Sequence, residues 1–407
     1  MECGHRQRGL HVRAGSAARE RGEDYSTAGM VAWVTARALQ FVPEFTARHL
    51  PPAGSALLPV LRARGHTVWP LWRRGADLGF VLPLRRQLPD RTAAAARWRS
   101  AEAVFLPGIA AARLPASAPH IATALRMFDR LRQGARFLDE LELRLRHDDR
   151  FVYAGSTVDH GDRREIERVF VDAVVGDRTV AKDLWARLAW IADDHSDVSL
   201  RIRHSFGKEQ LEDWLSGDDE IAGWSDRFAG SAFPESAVVL GCRPLQQLLA
   251  RLLGRPFRLS ERIVYNNAPG GGAVFHHDAE PGQLGVVFTQ LAGHTAWLAI
   301  SKRRLAALLC RHGAEPTMTA AMLALEADDQ RRWRLLNRDA AFTARLAAAG
   351  ALFVLAPGDA ILLPSHGIDD ATWHSVFALS TRPSLAHSYG IFPLAAPPPA
   401  RHLRSRR

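Results

Sequence analysis

Residues 266–300 read NNAPGGGAVFHHDAEPGQLGVVFTQLAGHTAWLAI. Three short apolar runs, AVF, LGVVFTQL and TAWLAI, are broken by turns rich in Gly and Pro. Such runs predict strands closing on one another. The strand ERIVYNNA (261–268) leads into the stretch. Downstream, LFVLAPGDAILLP (352–364), TWHSVFALS (372–380) and SLAHSYGIFP (384–393) continue the texture. Many short β runs with Gly/Pro turns predict a sandwich or barrel. A helical insertion is expected at about 302–350.

Farther upstream, FVYAGSTVD (151–159) and DVSLRIRHSF (197–206) read as strands around a stretch expected to be helical, about 164–192. KEQLEDWLS (208–216) and RPLQQLLARLLG (243–254) read as helices. Residues 124–146, ALRMFDRLRQGARFLDELELRLR, space their apolar residues by three to four with a gap at Gly134. That predicts an amphipathic helix pair or a kinked helix.

The chain has 407 residues, 47% hydrophobic and 24% charged, which excludes disordered, collagen-like and coiled-coil chains. No apolar run is long enough to predict a membrane helix. The N-terminus is basic and polar without an apolar stretch, so it does not read as a secretory signal. Cys3, Cys242 and Cys310 form no disulfide or zinc pattern, and the cytoplasm is the expected compartment. The net charge of +10 comes almost wholly from Arg, since the lysines are Lys182, Lys208 and Lys302. These Arg residues are interspersed with acids, which argues against nucleic acid as a partner. Residues 1–29 and 401–407 are expected to be solvated basic tails, with Met30 an alternative start.

Four His-x-Asp pairs occur: His147/Asp149, His160/Asp162, His195/Asp197 and His276/Asp278. A strand's period of two puts such a pair on one side. A second imidazole from another strand then completes a facial triad suited to Fe(II). About one match is expected by chance from composition, so context decides. The first three pairs lie in polar loops or at helix ends, where ordinary surface is expected. His276 lies instead between apolar strands, and His374 falls in the strand TWHSVFALS. His374 read alone would be a core histidine; in this order it is a candidate ligand. The turn APGGGA (268–273) lacks GxxxxGK[ST] and precedes a strand, so it predicts close backbone approach and no phosphate cradle. No G-x-S-x-G, HExxH or C-x-x-C is present.

These two halves, 266–300 and LAPGDAILLPSHGIDDATWHSVFALSTRPSLAHSYGIF (355–392), resemble the JmjC/cupin-like Fe(II)- and 2-oxoglutarate-dependent oxygenases over about 258–394. The resemblance implies an α+β chain with a double-stranded β-helix (jelly-roll or cupin) core and surrounding helices. It implies Fe(II) held by His276, Asp278 and His374, with 2-oxoglutarate and O₂ as co-substrates. A carboxylate ligand at Asp278 favours hydroxylation over halogenation. The family usually binds the distal carboxylate of 2-oxoglutarate with a Lys, and Thr295 stands at that position. Two substitutes are available, Arg382 at the start of the last strand and His294; Arg382 reads equally as a turn residue. The family's Ser or Thr three residues before the first His is replaced by Ala273. Tyr265 and Asn267, on one face of their strand, and Trp297 are candidates for lining the substrate pocket; Asn266 would face the other way.

The sequence is therefore expected to fold as a mostly helical region at 30–150 and a cupin/JmjC-like oxygenase domain at 151–400. The expected activity is a dioxygenase acting on a protein side chain or a small molecule, and the reading leaves room for a homodimer. The alternatives are a metal-binding cupin without 2-oxoglutarate turnover, and a β-barrel interaction module in which His374 is structural.

Overall fold

The computed structural model describes residues 61–63, 66–73, 76–81, 88–161, 164–191, 201–208, 211–212, 219–327, 329–379 and 382–394. The two basic tails and the pair His195/Asp197 lie outside the described residues.

Strands β1 (Leu61–Ala63), β2 (His66–Arg73) and β3 (Ala76–Val81) form a small antiparallel sheet. Helix Arg91–Arg99, strand β4 (Val104–Leu106) and helices Leu114–Arg132 and Phe137–Leu145 follow. Next come β5 (Phe151–Gly161), β6 (Arg164–Val175), β7 (Arg178–Ile191), β8 (Arg201–Lys208) and β9 (Leu211–Glu212). Helices Asp219–Ala232, Ala237–Leu240 and Arg243–Leu253 precede the last strands. These are β10 (Phe257–Asn267), β11 (Gly272–His276), β12 (Gly285–Ala292), β13 (Thr295–Ser301), β14 (Leu352–Leu355), β15 (Ala360–Pro364), β16 (Thr372–Ala378) and β17 (Ser384–Pro393).

From β10 onward the chain alternates between two facing sheets, except that β13 and β14 share one. One has the order β15-β12-β17-β10, the other β11-β16-β13-β14. That alternation defines a double-stranded β-helix, a jelly roll closed by paired antiparallel strands. Interior side chains of both sheets, among them Ala273, Val286, Phe288, Trp297, Phe353, Ile361 and Val376, fill the space between them. The first sheet grows to ten strands: β4 pairs with β15 on one edge, β8, β7, β6 and β5 continue from β10 on the other, and β9 pairs with β8.

Both outer faces are covered. Helices 91–99, 114–132, 137–145, 219–232 and 243–253 bury Trp98, Phe128, Phe137, Phe228 and Leu245 against the larger sheet, in the same cluster as Val264, Leu385 and Tyr389. The insertion between β13 and β14 consists of helices Lys302–Arg311, Met318–Glu326, Gln330–Arg338 and Ala340–Ala348. It packs Leu305, Leu309, Leu336 and Phe342 against Phe275, Trp373 and Phe377 of the smaller sheet. Thr317, Asp329 and Asp339 accept hydrogen bonds from the first-turn amides of its last three helices, which sets their starts.

Two expectations change. In the stretch 164–192, residues 164–191 form a pair of strands, β6 and β7, and not a helix. Val169, Val171 and Ala173 alternate inward, and Gly176-Asp177 closes the two-residue turn with Gly176 at φ +58°. In the stretch 208–216, also expected to be helical, Lys208 ends β8 and Leu211–Glu212 pairs with that strand; the other residues of the stretch lie outside the described ones. The region 30–150 contributes strands β1 to β4 as well as helices, because runs such as HTVWPLWR carry β-branched and aromatic residues.

A buried polar group sits on the outer face of the larger sheet. His387 of β17 is fully buried, with Glu235 Oε1 3.7 Å from its Nε2. Burial lowers its affinity for protons, Arg262 and Arg144 lower it further, and Glu235 opposes them. A proton therefore binds the unfolded chain better than the folded one. This contribution to stability is complete above about pH 6.5, the ordinary histidine value, and is lost as pH falls below it. One proton caps the slope at about 1.4 kcal/mol per pH unit. His387→Gln is expected to flatten the fall in melting temperature between pH 7.5 and 5.5; an unchanged fall would assign the slope to other groups.

Candidate metal centre

The site begins with a backbone irregularity. β11 pairs with β16 through Gly272↔Phe377 and Ala273↔Val376, and the register then shifts so that His276 faces His374. A bulge of this kind redirects side chains and leaves ladder groups unpaired. Here those groups find partners from outside the β-helix. Asn337 of the insertion accepts from the Phe275 amide at 2.8 Å. Arg73 of β2 donates to the Ala273 carbonyl at 3.1 Å, to Asn337 Oδ1 at 2.8 Å and to the Ser375 hydroxyl. Its guanidinium also lies 4.9 Å above the Phe377 ring. Neither Arg73 nor Asn337 carries a motif, so sequence reading missed both.

The bulge brings three donors together. His276, Asp278 and His374 place one ligand atom each within 4.8 Å of one another. His276 Nε2 lies 3.3 Å from Asp278 Oδ1, and His374 Nε2 lies 3.5 Å from Asp278 Oδ2. The two imidazole centroids are 4.3 Å apart. His276 Nδ1 donates to the Val274 carbonyl at 2.7 Å, which leaves the Nε2 lone pair toward the cluster. Burial pushes the His374 imidazole down to about 3, with the neighbouring His276 adding to the shift against the pull of Asp278. A neutral ring is the form that ligates metal. Two imidazoles and one carboxylate fit a divalent iron site with open positions. His276 and Asp278 are 38% exposed on their side chains and His374 only 4%, so solvent reaches the cluster from the side of His276 and Asp278.

The cavity beside the cluster is lined by Tyr265, Asn267, Trp297 and Ser388 among the apolar Ala273, Val286, Phe288, Leu363 and Val376. Asn267 is buried with its Oδ1 unpaired, and it lines this cavity. Asn266 lies on the opposite face, bonded to Arg132. Trp297 stacks on His374, with rings 5.4 Å apart and 22° from parallel.

The residues named for the co-substrate lie elsewhere. Thr295 is fully buried and its hydroxyl is engaged twice: it donates to Gln290 Oε1 at 2.8 Å and accepts from the Trp297 indole at 3.1 Å. Thr295 thus holds the indole that stacks on His374. His294 sits in the β12–β13 turn, where burial lowers its affinity for protons. Arg382 is exposed, two residues before β17. None of the three is among the residues lining the cavity. Of the other His-x-Asp pairs, His147 and Asp149 are exposed beyond helix 137–145 and outside this cluster, and His160 lies on β5 where a loop or helix end was expected.

No family model matches the sequence, and no curated protein does. Solved structures with similar chains include an oxidoreductase of the 2OG-Fe(II) oxygenase family from Burkholderia pseudomallei. It is 13% identical, with 76% of this chain and 93% of that one covered and a TM-score of 0.30. AviO1 from Streptomyces viridochromogenes is 16% identical over 77% of this chain and 99% of its own, with a TM-score of 0.32. YcfD, a ribosomal oxygenase from Escherichia coli, is 14% identical over 66% of this chain and 45% of its own, with a TM-score of 0.25. The likeness is remote at all of these values.

Proposed function

We propose that the chain is an Fe(II)- and 2-oxoglutarate-dependent dioxygenase of the hydroxylase type. The observation that carries this is the cross-strand pair His276↔His374 with Asp278 between them, at the mouth of a double-stranded β-helix. Iron held there would couple oxidative decarboxylation of 2-oxoglutarate to oxidation of a substrate C–H bond. The chain's own residues prepare the site. Val274 fixes the His276 tautomer, and Trp297 fixes the plane of His374. Phe288, Val286, Leu363 and Val376 exclude water from one side of the cluster. Tyr265, Asn267 and Ser388 are the polar anchors in that apolar wall.

The distal carboxylate of the co-substrate would fall to Arg382, two residues before the strand that carries Ser388 into the cavity. A bidentate guanidinium suits a carboxylate better than the His294 ring or the engaged Thr295 hydroxyl. The substrate is a protein side chain or a small molecule. No helix among the described residues is long and apolar enough to cross a membrane. The free cysteines Cys242 and Cys310 support a cytoplasmic setting.

An anaerobic titration with Fe(II) and then 2-oxoglutarate tests the reading. The visible charge-transfer band of the chelate is expected with the wild type and absent from His276→Ala. Arg382→Ala is expected to need more 2-oxoglutarate for the same band while taking up Fe(II) normally. Iron uptake without a band would leave a metal-binding β-helix that does not use 2-oxoglutarate. No uptake would remove the metal centre.

A further inference from the structure

His277 stands between two of the three ligands and faces away from them. Its Nε2 lies 3.4 Å from Glu326 Oε2, at the end of helix Met318–Glu326. The other oxygen of Glu326 lies 2.6 Å from Lys302 Nζ, at the start of helix Lys302–Arg311. Lys302 is 1% exposed, and it also bonds the Ile368 carbonyl at 3.1 Å and Asp369 Oδ1 at 2.9 Å. A buried ammonium is retained only when it is paired in this way. On its other side the His277 ring meets the turn after β11 and the strand that carries His374. Its Nδ1 accepts the Ala279 amide at 3.2 Å, one residue beyond Asp278. Its ring lies 5.2 Å from that of Trp373, one residue before His374. Because Nδ1 accepts, the proton of the neutral ring is on Nε2 and points at the Glu326 carboxylate.

We propose that His277 is a positioning residue, through which Lys302 and Glu326 of the helical insertion hold the ligand turn in register for the metal. The inference rests on the metal reading above. Asp278 follows the strand end, in a turn whose own closure is the Glu280 amide on the Asp278 carbonyl at 3.1 Å. The His277 ring supplies the further restraint. It ties residue 279 to the insertion and packs beside the strand that carries His374. The insertion therefore acts on the metal from outside the cavity, and a substrate or partner that moved helix 318–326 would be felt at the ligands.

The test is a Co(II) titration of the full chain, followed by affinity and by the visible d–d band. His277→Ala and Glu326→Ala are expected to weaken Co(II) binding roughly 10- to 100-fold, as loss of an outer support does, and to alter the band. His277→Asn keeps an acceptor for the Ala279 amide and is expected to recover part of the affinity. Asp369→Asn removes an exposed partner of Lys302 without touching His277, and is expected to bind as the wild type does. Wild-type affinity and band in both His277→Ala and Glu326→Ala would overturn the proposal, as would an equal loss in Asp369→Asn. Should His277→Ala melt below the assay temperature, Glu326→Gln, which keeps the volume and removes the charge, carries the same expectation. A wild type that takes up no Co(II) would overturn the metal reading itself.

Discussion

Asp278→Ala is expected to abolish Fe(II) uptake while leaving the melting temperature of the metal-free protein nearly unchanged. The carboxylate is the one formal charge among the three donors, and it lies 3.3 and 3.5 Å from the two imidazole Nε2 atoms. Without it a dication would meet two neutral nitrogens. The loss should exceed the 10- to 100-fold that follows removal of an outer support. Stability should respond little, because Asp278 is 38% exposed on its side chain and follows the end of β11. Substitutions at such positions usually stay within about 0.5 kcal/mol. Removing the anion also removes the negative charge that favours protonation of His374, so that ring stays neutral. Asp149→Ala, in the exposed His147 pair, serves as the control and should bind iron normally. Metal content by atomic spectroscopy checks both variants. Full iron content in Asp278→Ala would show that the three residues do not form the site.

Much of the β-helix was legible because its strands are short, apolar and punctuated. GDAILLP, TWHSVFALS and SLAHSYGIFP each became a strand. The ligand candidates could be read because the spacing of two in HHD falls at a strand end beside apolar runs. Three features were not legible. The β6–β7 hairpin reads as helix because Arg and Glu interrupt its apolar residues, although the Gly176-Asp177 turn between Val175 and Arg178 is a hairpin signal. The use of Thr295 depends on Gln290 and Trp297, which sequence order alone cannot join. Arg73 and Asn337 act across 200 and 62 residues on backbone atoms of Ala273 and Phe275. Partners of a bulge are chosen by shape in three dimensions and leave no periodicity.

Gly272→Ala tests the part of the site that backbone geometry controls, and it is expected to cost both stability and metal. A Cβ at residue 272 would lie 2.0 Å from the Val376 carbonyl oxygen and 2.7 Å from the Phe377 Cα. Both obstacles are backbone of β16, so no side chain can turn aside. Strand β11 would have to separate from β16 at the pair Gly272↔Phe377, one residue before the bulge that sets His276 opposite His374. Overpacking a tight interior costs about 1–3 kcal/mol, occasionally more. Here the displacement also moves a ligand, so Co(II) affinity should fall together with the melting temperature. Gly282→Ala separates the two effects. Gly282 has φ +77° with nothing within 4 Å of an added Cβ, so that variant is strained by roughly 1–2 kcal/mol without crowding a neighbour. It should lose some stability and keep the wild-type Co(II) affinity. Thermal melts and Co(II) titrations of the two variants side by side decide the matter. If Gly272→Ala matched Gly282→Ala in metal affinity, close approach of β11 to β16 would not be what positions His276.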